Sequence, residues 1–327
     1  MDKVSLFMNH LPFQLISFHG WGVFSLTVLC VGMIVLASVS QNRYRFRSAL
    51  VCLLLGNFFI WTHILESPRF TVTFLDVGQG DACIIEDGNH TKLVDAGYAG
   101  FGKDYGKRVV LPYLKHKGID KIDLMVMTHP HADHIGGLET VLKNITISEI
   151  WDTHNDFESS VYDRILAGAE LNKSYIRFLD PGDIYQLGEM KLTILYPDSA
   201  IAMSMKNINN SSIVFRLDYK DHSFLFTGDA EIQAERILAN LDFLLNVDVL
   251  KVGHHGSSTS SIMSMVKHVS PKYAIISVGQ NNRYGHPSEK IVQRWVDSDA
   301  IVFRTDKNGA VIIAVDGEGM SINPMIP

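Results

Sequence analysis

Two apolar runs open the chain, residues 15–39 and residues 48–65. His19 is the one ionisable residue in the first, and only Asn57 and His63 break the second. Each is close to the about 17–25 residues that a helix needs to span a bilayer. Neither has the polar face that a helix at a protein surface turns to water. Between them lies Gln41-Asn42-Arg43-Tyr44-Arg45-Phe46-Arg47, and three arginines in a short loop predict a cytoplasmic loop. Everything after residue 66 then falls on the far side of the membrane. A buried helical hairpin of a water-soluble protein is the alternative.

From residue 67 the pattern changes to short apolar runs alternating with amphipathic stretches. Residues 69–75, 83–86 and 91–94 predict an opening β-meander with glycine-rich turns. Residues 104–116 predict an amphipathic helix, locally disturbed by Pro112. Strands are expected near 123–127, 148–151, 175–179, 191–196, 212–218, 222–227, 247–252, 272–278, 300–304 and 310–315. Helices are expected near 136–143, 159–171, 230–240, 258–268 and 288–296. Lys220-Asp221 and Lys307-Asn308-Gly309 read as hairpin turns. No repeat or linker interrupts this stretch, so two domains are expected, a membrane anchor over 1–66 and one α/β domain over 67–327.

Charge sharpens that division. Before residue 66, Lys3, Arg43, Arg45 and Arg47 face Asp2 alone, which leaves 25 basic and 34 acidic residues from Glu66 onward, a net −9. Such a domain does not resemble a general polyanion binder, whose affinity comes from Lys and Arg on phosphates. A nucleic-acid substrate would need a local cationic site. Cysteine adds little: Cys30 and Cys52 lie in the two apolar runs, and Cys83 stands alone in a strand-like segment. No disulfide is available to the larger domain.

The chemistry concentrates at Thr128-His129-Pro130-His131-Ala132-Asp133-His134-Ile135-Gly136-Gly137. It follows the apolar segment 124–127 and precedes a short helix-like stretch. A strand ending in such a loop projects imidazoles and a carboxylate into one small volume. His129 and His131 can hold one cation while Asp133 and His134 turn towards a second. Neutral imidazoles with a carboxylate suit Zn²⁺, Mn²⁺ or Fe. A polar loop with capping histidines is the bland alternative, and each added ligand at a fixed offset weighs against it.

This run resembles the signature of the metallo-β-lactamase superfamily. The resemblance implies a four-layer αβ/βα sandwich with a one- or two-metal site along one edge. It implies that Asp95, in Lys92-Leu93-Val94-Asp95-Ala96-Gly97, braces the metal loop rather than binding metal. It makes Asp229, after the strand Ser223-Phe224-Leu225-Phe226, the carboxylate between two cations. It also calls for a late histidine, for which Val249 to Ser257 offers His254, nearer the strand end and preferred, and His255. The opening Phe74-Leu75-Asp76-Val77-Gly78-Gln79-Gly80-Asp81 narrows the resemblance to the C-terminal hydrolase domain of ComEC-type DNA-uptake proteins. That subgroup also carries the run Lys251 to Ser257 and a late Gly285-His286-Pro287.

Gly78 and Gly80 permit a turn whose exposed N–H groups bind anions, which makes Gln79 a candidate substrate contact. Ser257 is another, read as lying at a helix N-terminus. Asp76 and Asp81 read either as turn caps or as part of the site rim. His286 reads as a donor of a proton to a leaving alkoxide, as a binder of an anionic oxygen, or as a hydrogen-bonded loop histidine. The chain departs from the superfamily where a third histidine should complete the first metal site. Asn207-Ile208-Asn209-Asn210-Ser211-Ser212 stands there instead, and Asn210 reads as a weak ligand or as a turn cap.

The expected activity is metal-dependent hydrolysis with two divalent transition-metal ions, Zn or Mn, in which Asp133 orients the attacking water and His286 assists the leaving group. A phosphodiesterase or nuclease acting on single- or double-stranded DNA outside the cytoplasm is preferred. With only two apolar runs the chain is expected to serve a separate channel protein rather than form a pore. Hydrolysis of a smaller ester (a phosphocholine or teichoic-acid phosphodiester, a lactone or a β-lactam) is the second reading. A non-catalytic accessory subunit of a DNA channel is the third.

Overall fold

The computed structural model describes residues 70–327, apart from 89, 154–156, 158 and 242–244, together with residues 32, 47, 50, 51 and 53–58. Two compact units divide the chain, Met1–Pro68 and Arg69–Pro327. Both apolar runs belong to the first, and most of the expected membrane hairpin lies outside the described residues; residues 50, 51 and 53–58 of the second run are helical. No helix among the described residues is long and apolar enough to cross a membrane.

The second unit is built on two sheets. In the first the order is β17 (Met320–Pro324), β16 (Val311–Val315), β1 (Phe70–Phe74), β2 (Cys83–Asp87), β3 (His90–Val94), β6 (Lys121–Val126), β7 (Thr146–Asp152) and β8 (Tyr175–Phe178). In the second it is β15 (Ile301–Arg304), β14 (Tyr273–Ile276), β13 (Val249–Lys251), β12 (His222–Phe226), β11 (Val214–Tyr219), β10 (Met190–Tyr196) and β9 (Ile184–Leu187). A small ribbon pairs β4 (Ala99–Gly100) with β5 (Lys103–Asp104). Each sheet changes from antiparallel to parallel part-way across: β3, β6, β7 and β8 run parallel, as do β12, β13, β14 and β15.

Side-chain alternation explains the layering, since successive residues of a strand point to opposite faces. Phe70, Val72 and Phe74 of β1 meet Phe215, Phe224 and Phe226 in the core between the sheets. Phe215 stacks on Phe226 at 4.7 Å, and Phe70 stacks on Tyr219 at 4.1 Å. The intervening residues face outward: Ile84, Leu93 and Met125 pack under α1 (Leu111–Lys117), α2 (Ala132–Ile135), α3 (Leu138–Leu142) and α4 (Ser160–Asn172). On the other side Leu225, Leu250 and Ala274 pack under α6 (Ile232–Leu238), α7 (Met263–Val269) and α8 (Glu289–Val296). Helices therefore cover both outer faces, giving the expected αβ/βα sandwich. The remaining helices are α5 (Ser199–Ser204) and α9 (Thr305–Asn308).

One local expectation holds and another is corrected. The helix expected over 104–116 is continuous over 105–117, and the disturbance expected at Pro112 appears as a π-helical turn over Gly106–Val110 directly before α1. Lys307-Asn308-Gly309 is not a hairpin turn. Residues 305–308 form α9, which carries the chain from β15 at the edge of the second sheet to β16 in the first. The edge strands β9 and β17 and the short α5 carry too little apolar periodicity to stand out in the sequence.

Candidate metal centre

The parallel strands bring their carboxyl ends to one edge of the sandwich, and the chemistry-bearing loops leave from there, as open α/β sheets generally arrange. Past β3, Asp95 adopts a left-handed conformation with φ 57° and is fully buried. Its Oδ1 accepts from the Thr128 amide at 2.9 Å, and its Oδ2 from the Thr128 hydroxyl and His134 Nδ1, both at 2.7 Å. Both oxygens of Asp95 are thus spent on holding the loop after β6. That loop carries His129 and presents His131 in extended backbone, then turns into α2, whose first turn carries Asp133 and His134.

Gly80 lets the loop after β1 close on this turn. Its φ is 140°, and a Cβ there would lie 2.2 Å from the Asp133 carbonyl oxygen. Directly beyond it, Asp81 is buried, its carboxylate 2.6 Å from the buried Lys251 Nζ and 3.4 Å from His255 Nδ1. Burial opposes its charge, but Lys251 and His255 outweigh this and bring its pKa down to about 2. Asp76 caps the turn instead, accepting from the Gly78 amide at 3.1 Å.

Asp229, past β12, lies at the centre of the cluster. Its Oδ1 is 3.3 Å from His134 Nε2, and its Oδ2 is 3.8 Å from His129 Nε2 and 3.7 Å from His255 Nε2. Burial works against its charge, yet His134 and His255 hold its carboxyl well below the usual range. Past β13, His254 and His255 both have positive φ, 46° and 52°. Gly256 continues the turn at φ 75°, where a Cβ would strike Pro287 at 2.6 Å. This left-handed run reverses the order read from the strand end. His255 is buried and directs Nε2 between Asp133 Oδ2, at 3.6 Å, and Asp229, while its Nδ1 lies 2.9 Å from the Ser277 carbonyl oxygen. His254 Nδ1 lies 2.7 Å from Glu231 Oε1, its Nε2 is 3.8 Å from Asp229 Oδ2, and the ring stands at the rim of the pocket. Of the two candidates, His255 is the more deeply buried and lies between two carboxylates, whereas the expected His254 approaches Asp229 alone from the rim.

Two further expectations are corrected. Asn210 is buried, and its Oδ1 accepts from the amides of Glu231 and Ala234 at 3.1 Å each, so it caps α6 and faces no cation position. Its neighbour Asn209 lines the pocket. Ser257 is turned into the protein, where its hydroxyl pairs with Thr259 at 2.9 Å; the helix beyond it begins only at Met263. Gln79 and His286 do line the pocket, a cavity of about 300 Å³ whose walls also include His131, Asp133, Asp229 and Tyr284.

His129, His134 and Asp229 converge as one possible ligand set, and Asp133, His134 and His255 as another. The donors fit a divalent cation. Zn–N bonds of about 2.0–2.1 Å in a tetrahedron set neighbouring nitrogens about 3.3 Å apart, and His129 Nε2 lies 3.1 Å from His131 Nδ1. His134 Nε2, His255 Nε2, Asp229 Oδ1 and Asn209 Oδ1 are buried with no hydrogen-bond partner, a cost that a cation would remove. Electrostatics agree. Burial disfavours imidazolium, but Asp229 and Asp95 raise His134 well above its usual pKa, and Asp229 and Asp81 raise His255 to about 10. The cluster attracts positive charge. His129 goes the other way, pushed down by burial and by His134. Burial, with His254 and His255 beside it, lowers His286 to about 4. That ring is neutral at pH 7, which favours hydrogen bonding over donation from an imidazolium.

Lys251, Glu231 and Asn209 were not read from the sequence as site residues. Lys251 sits in the quoted 251–257 run, but nothing in its surroundings along the chain says that its ammonium is buried against Asp81. Glu231 follows Asp229 by two residues, and only the fold shows that it holds His254.

A profile of the Metallo-beta-lactamase superfamily matches residues 75–197 and 204–280. The chain is 29% identical over 303 residues to ComE operon protein 3 of Bacillus subtilis (strain 168), covering 88% of this chain and 38% of that protein. It is 32% identical over 248 residues to Recombination protein 2 of Haemophilus influenzae, covering 76% of this chain and 29% of that protein. The chain spans about a third of the length of these curated relatives. Among solved structures, the metallo-beta-lactamase fold protein YhfI from Bacillus subtilis superposes with a TM-score of 0.51 at 12% identity, covering 74% of this chain and 99% of that one. At that identity the likeness concerns the fold alone.

Proposed function

The chain belongs to the metallo-β-lactamase superfamily, and on that premise we propose that it is a metal-dependent phosphodiesterase, with nucleic acid as the favoured substrate. One observation carries this reading. His131, Asp133, Asp229 and His255 line an open pocket, His129 and His134 cluster with them beneath it, and His134 Nε2, His255 Nε2 and Asp229 Oδ1 are buried without a hydrogen-bond partner. In this reading His129 and His131 would hold one cation and Asp133, His134 and His255 a second, with Asp229 available to both. The cations, Zn or Mn, would polarise a phosphoryl group and lower the pKa of a water. Asp133, kept ionised by His255 and His134 against its burial, orients that water. The neutral His286 donates an N–H to a phosphoryl oxygen. Asp95 and Glu231 fix His134 and His254 respectively.

ComEC-type relatives, one of them named for recombination, support nucleic acid as the substrate. The two apolar runs and the arginine loop support a membrane anchor with the hydrolase unit outside the cytoplasm. The net −9 of the larger part supports the second reading, a small phosphodiester. Metal-loaded full-length chain incubated with single-stranded DNA, double-stranded DNA and bis-p-nitrophenyl phosphate separates the two. Cleavage of DNA supports the first reading and cleavage of the small ester alone the second. Stable metal binding with no turnover of any of the three would point to the accessory role.

A further inference from the structure

We propose that a groove leading out of the metal pocket binds unpaired nucleotides, with Phe101 as a base-stacking platform and Lys103, Arg283 and Lys307 as phosphate contacts. This rests on the phosphodiesterase reading above and assigns the part of the substrate that lies away from the scissile bond. The groove measures about 1130 Å³ and shares Gln79, Ala132, Asp133 and Tyr284 with the metal pocket. The smaller cavity at the metals suffices for a small ester. A continuous extension several times larger fits a polymer that continues past the reacting phosphate.

Phe101 is out of place on structural grounds. It occupies the first position of the two-residue turn between β4 and β5, at φ 47°, with Gly102 following at φ 76°. Turns of this kind favour Asn, Asp or Gly there, and a bulky side chain at positive φ is strained. Its ring is nonetheless fully exposed at the groove, so folding gains nothing from it. A flat, solvent-facing aromatic beside cations is the arrangement by which proteins hold single strands, because every base has a face to stack. Tyr284 offers a second face. It is 54% exposed, its hydroxyl accepts from Arg283 Nη2 at 2.7 Å, and its ring stacks on His286 at 5.8 Å. Flat groups therefore lead from the catalytic pocket into the groove.

The charges agree. Asp76 and Asp306 also line the groove, but Asp306 is held by two hydrogen bonds from Arg304 and Asp76 caps the Gly78 turn. Asp133 belongs to the metal cluster at the inner end, so the exposed Lys103, Arg283 and Lys307 gather three cations along the outer groove of an otherwise strongly acidic domain. A duplex hides its base faces, so the groove is built for unpaired strands.

The test is fluorescence anisotropy of a labelled oligothymidylate with the full-length chain in a chelator, so that turnover plays no part. The single strand should bind more tightly than a duplex of the same length, with a salt slope of about −2 for three phosphate contacts. Phe101→Ala should weaken binding by about 5- to 100-fold, the worth of one stacked base; Phe101→Trp should restore it. An unchanged thermal melt for Phe101→Ala shows that the fold is intact. Lys103→Ala should reduce the salt slope by about 0.7. Equal affinity for duplex and single strand, or no effect of Phe101→Ala, would overturn the proposal. So would loss in Phe101→Ala of binding to phosphatidylglycerol vesicles with oligonucleotide binding untouched, because the tip would then be a lipid contact. A chain that binds the oligonucleotide through Phe101 but cleaves no phosphodiester would sink the catalytic reading and leave the groove standing.

Discussion

Adjacent histidines with opposite orientations make a sharp residue-scale test. His255 Nε2 lies between Asp133 and Asp229, whereas His254 is held at the rim by Glu231. His255→Ala should remove about one metal ion per chain, while His254→Ala should keep both and lose activity only in part; elemental analysis distinguishes them, and equal loss would restore the original preference. His286→Ala should keep its metal and lower kcat by about 10²–10³-fold, the worth of one well-aimed donor. With its pKa near 4, His286 adds no limb to the pH–rate profile between pH 6 and 8, so wild type and variant should run parallel there. Metal affinity has the opposite pH character. His134 and His255 hold protons in the cation-free cluster because Asp229, Asp95 and Asp81 raise them. A cation must displace those protons, so affinity should rise with pH. Calorimetry between pH 6 and 8 should show up to two protons released per chain; a flat response would contradict the raised imidazoles. The donor types and the loop at 129–134 were legible in the sequence because four of the donors, His129, His131, Asp133 and His134, form one continuous motif around Pro130. The choice between His254 and His255 was not, since two consecutive left-handed residues turn the chain in a way that counting from a strand end does not anticipate.

Elements deliver these residues through their ends, and caps therefore matter to the site. Glu231 stands at the N-terminal boundary of α6 without a side-chain cap of its own. Asn210 supplies the cap from a different segment, accepting from two amides of the first turn. Asn210→Ala leaves both N–H groups buried without an acceptor and should cost about 1–3 kcal/mol, read from denaturant melts. Asn210→Asp keeps the acceptor and should recover most of it. Both variants should retain metal; if Asn210→Ala instead loses metal at unchanged stability, the residue is a ligand after all. The strands were readable because alternating and continuous apolar runs mark which faces are buried. What failed was connectivity. Lys307-Asn308-Gly309 has hairpin chemistry, yet α9 uses it to cross between sheets, and only the competing partners β14 and β1 decide where β15 and β16 pair.

Across the whole molecule, the charge split and the site's position make a joint demand. The strands end in an open pocket, so a polymeric substrate must reach that edge in the compartment where the second unit resides. Arg43, Arg45 and Arg47 between two apolar runs would keep their loop in the cytoplasm, which sends everything after residue 66 across the membrane. A phosphatase reporter that works only after export, fused after residue 327, should therefore be active in cells. Replacing the three arginines with glutamine should reduce that activity by weakening the orientation signal, while the metal content of the purified chain stays unchanged. An inactive reporter, with the fusion intact and the chain in the membrane fraction, would put the hydrolase unit in the cytoplasm. The metal centre and its chemistry would survive that outcome, because they depend only on residues beyond Arg69. The extracytoplasmic substrate would not.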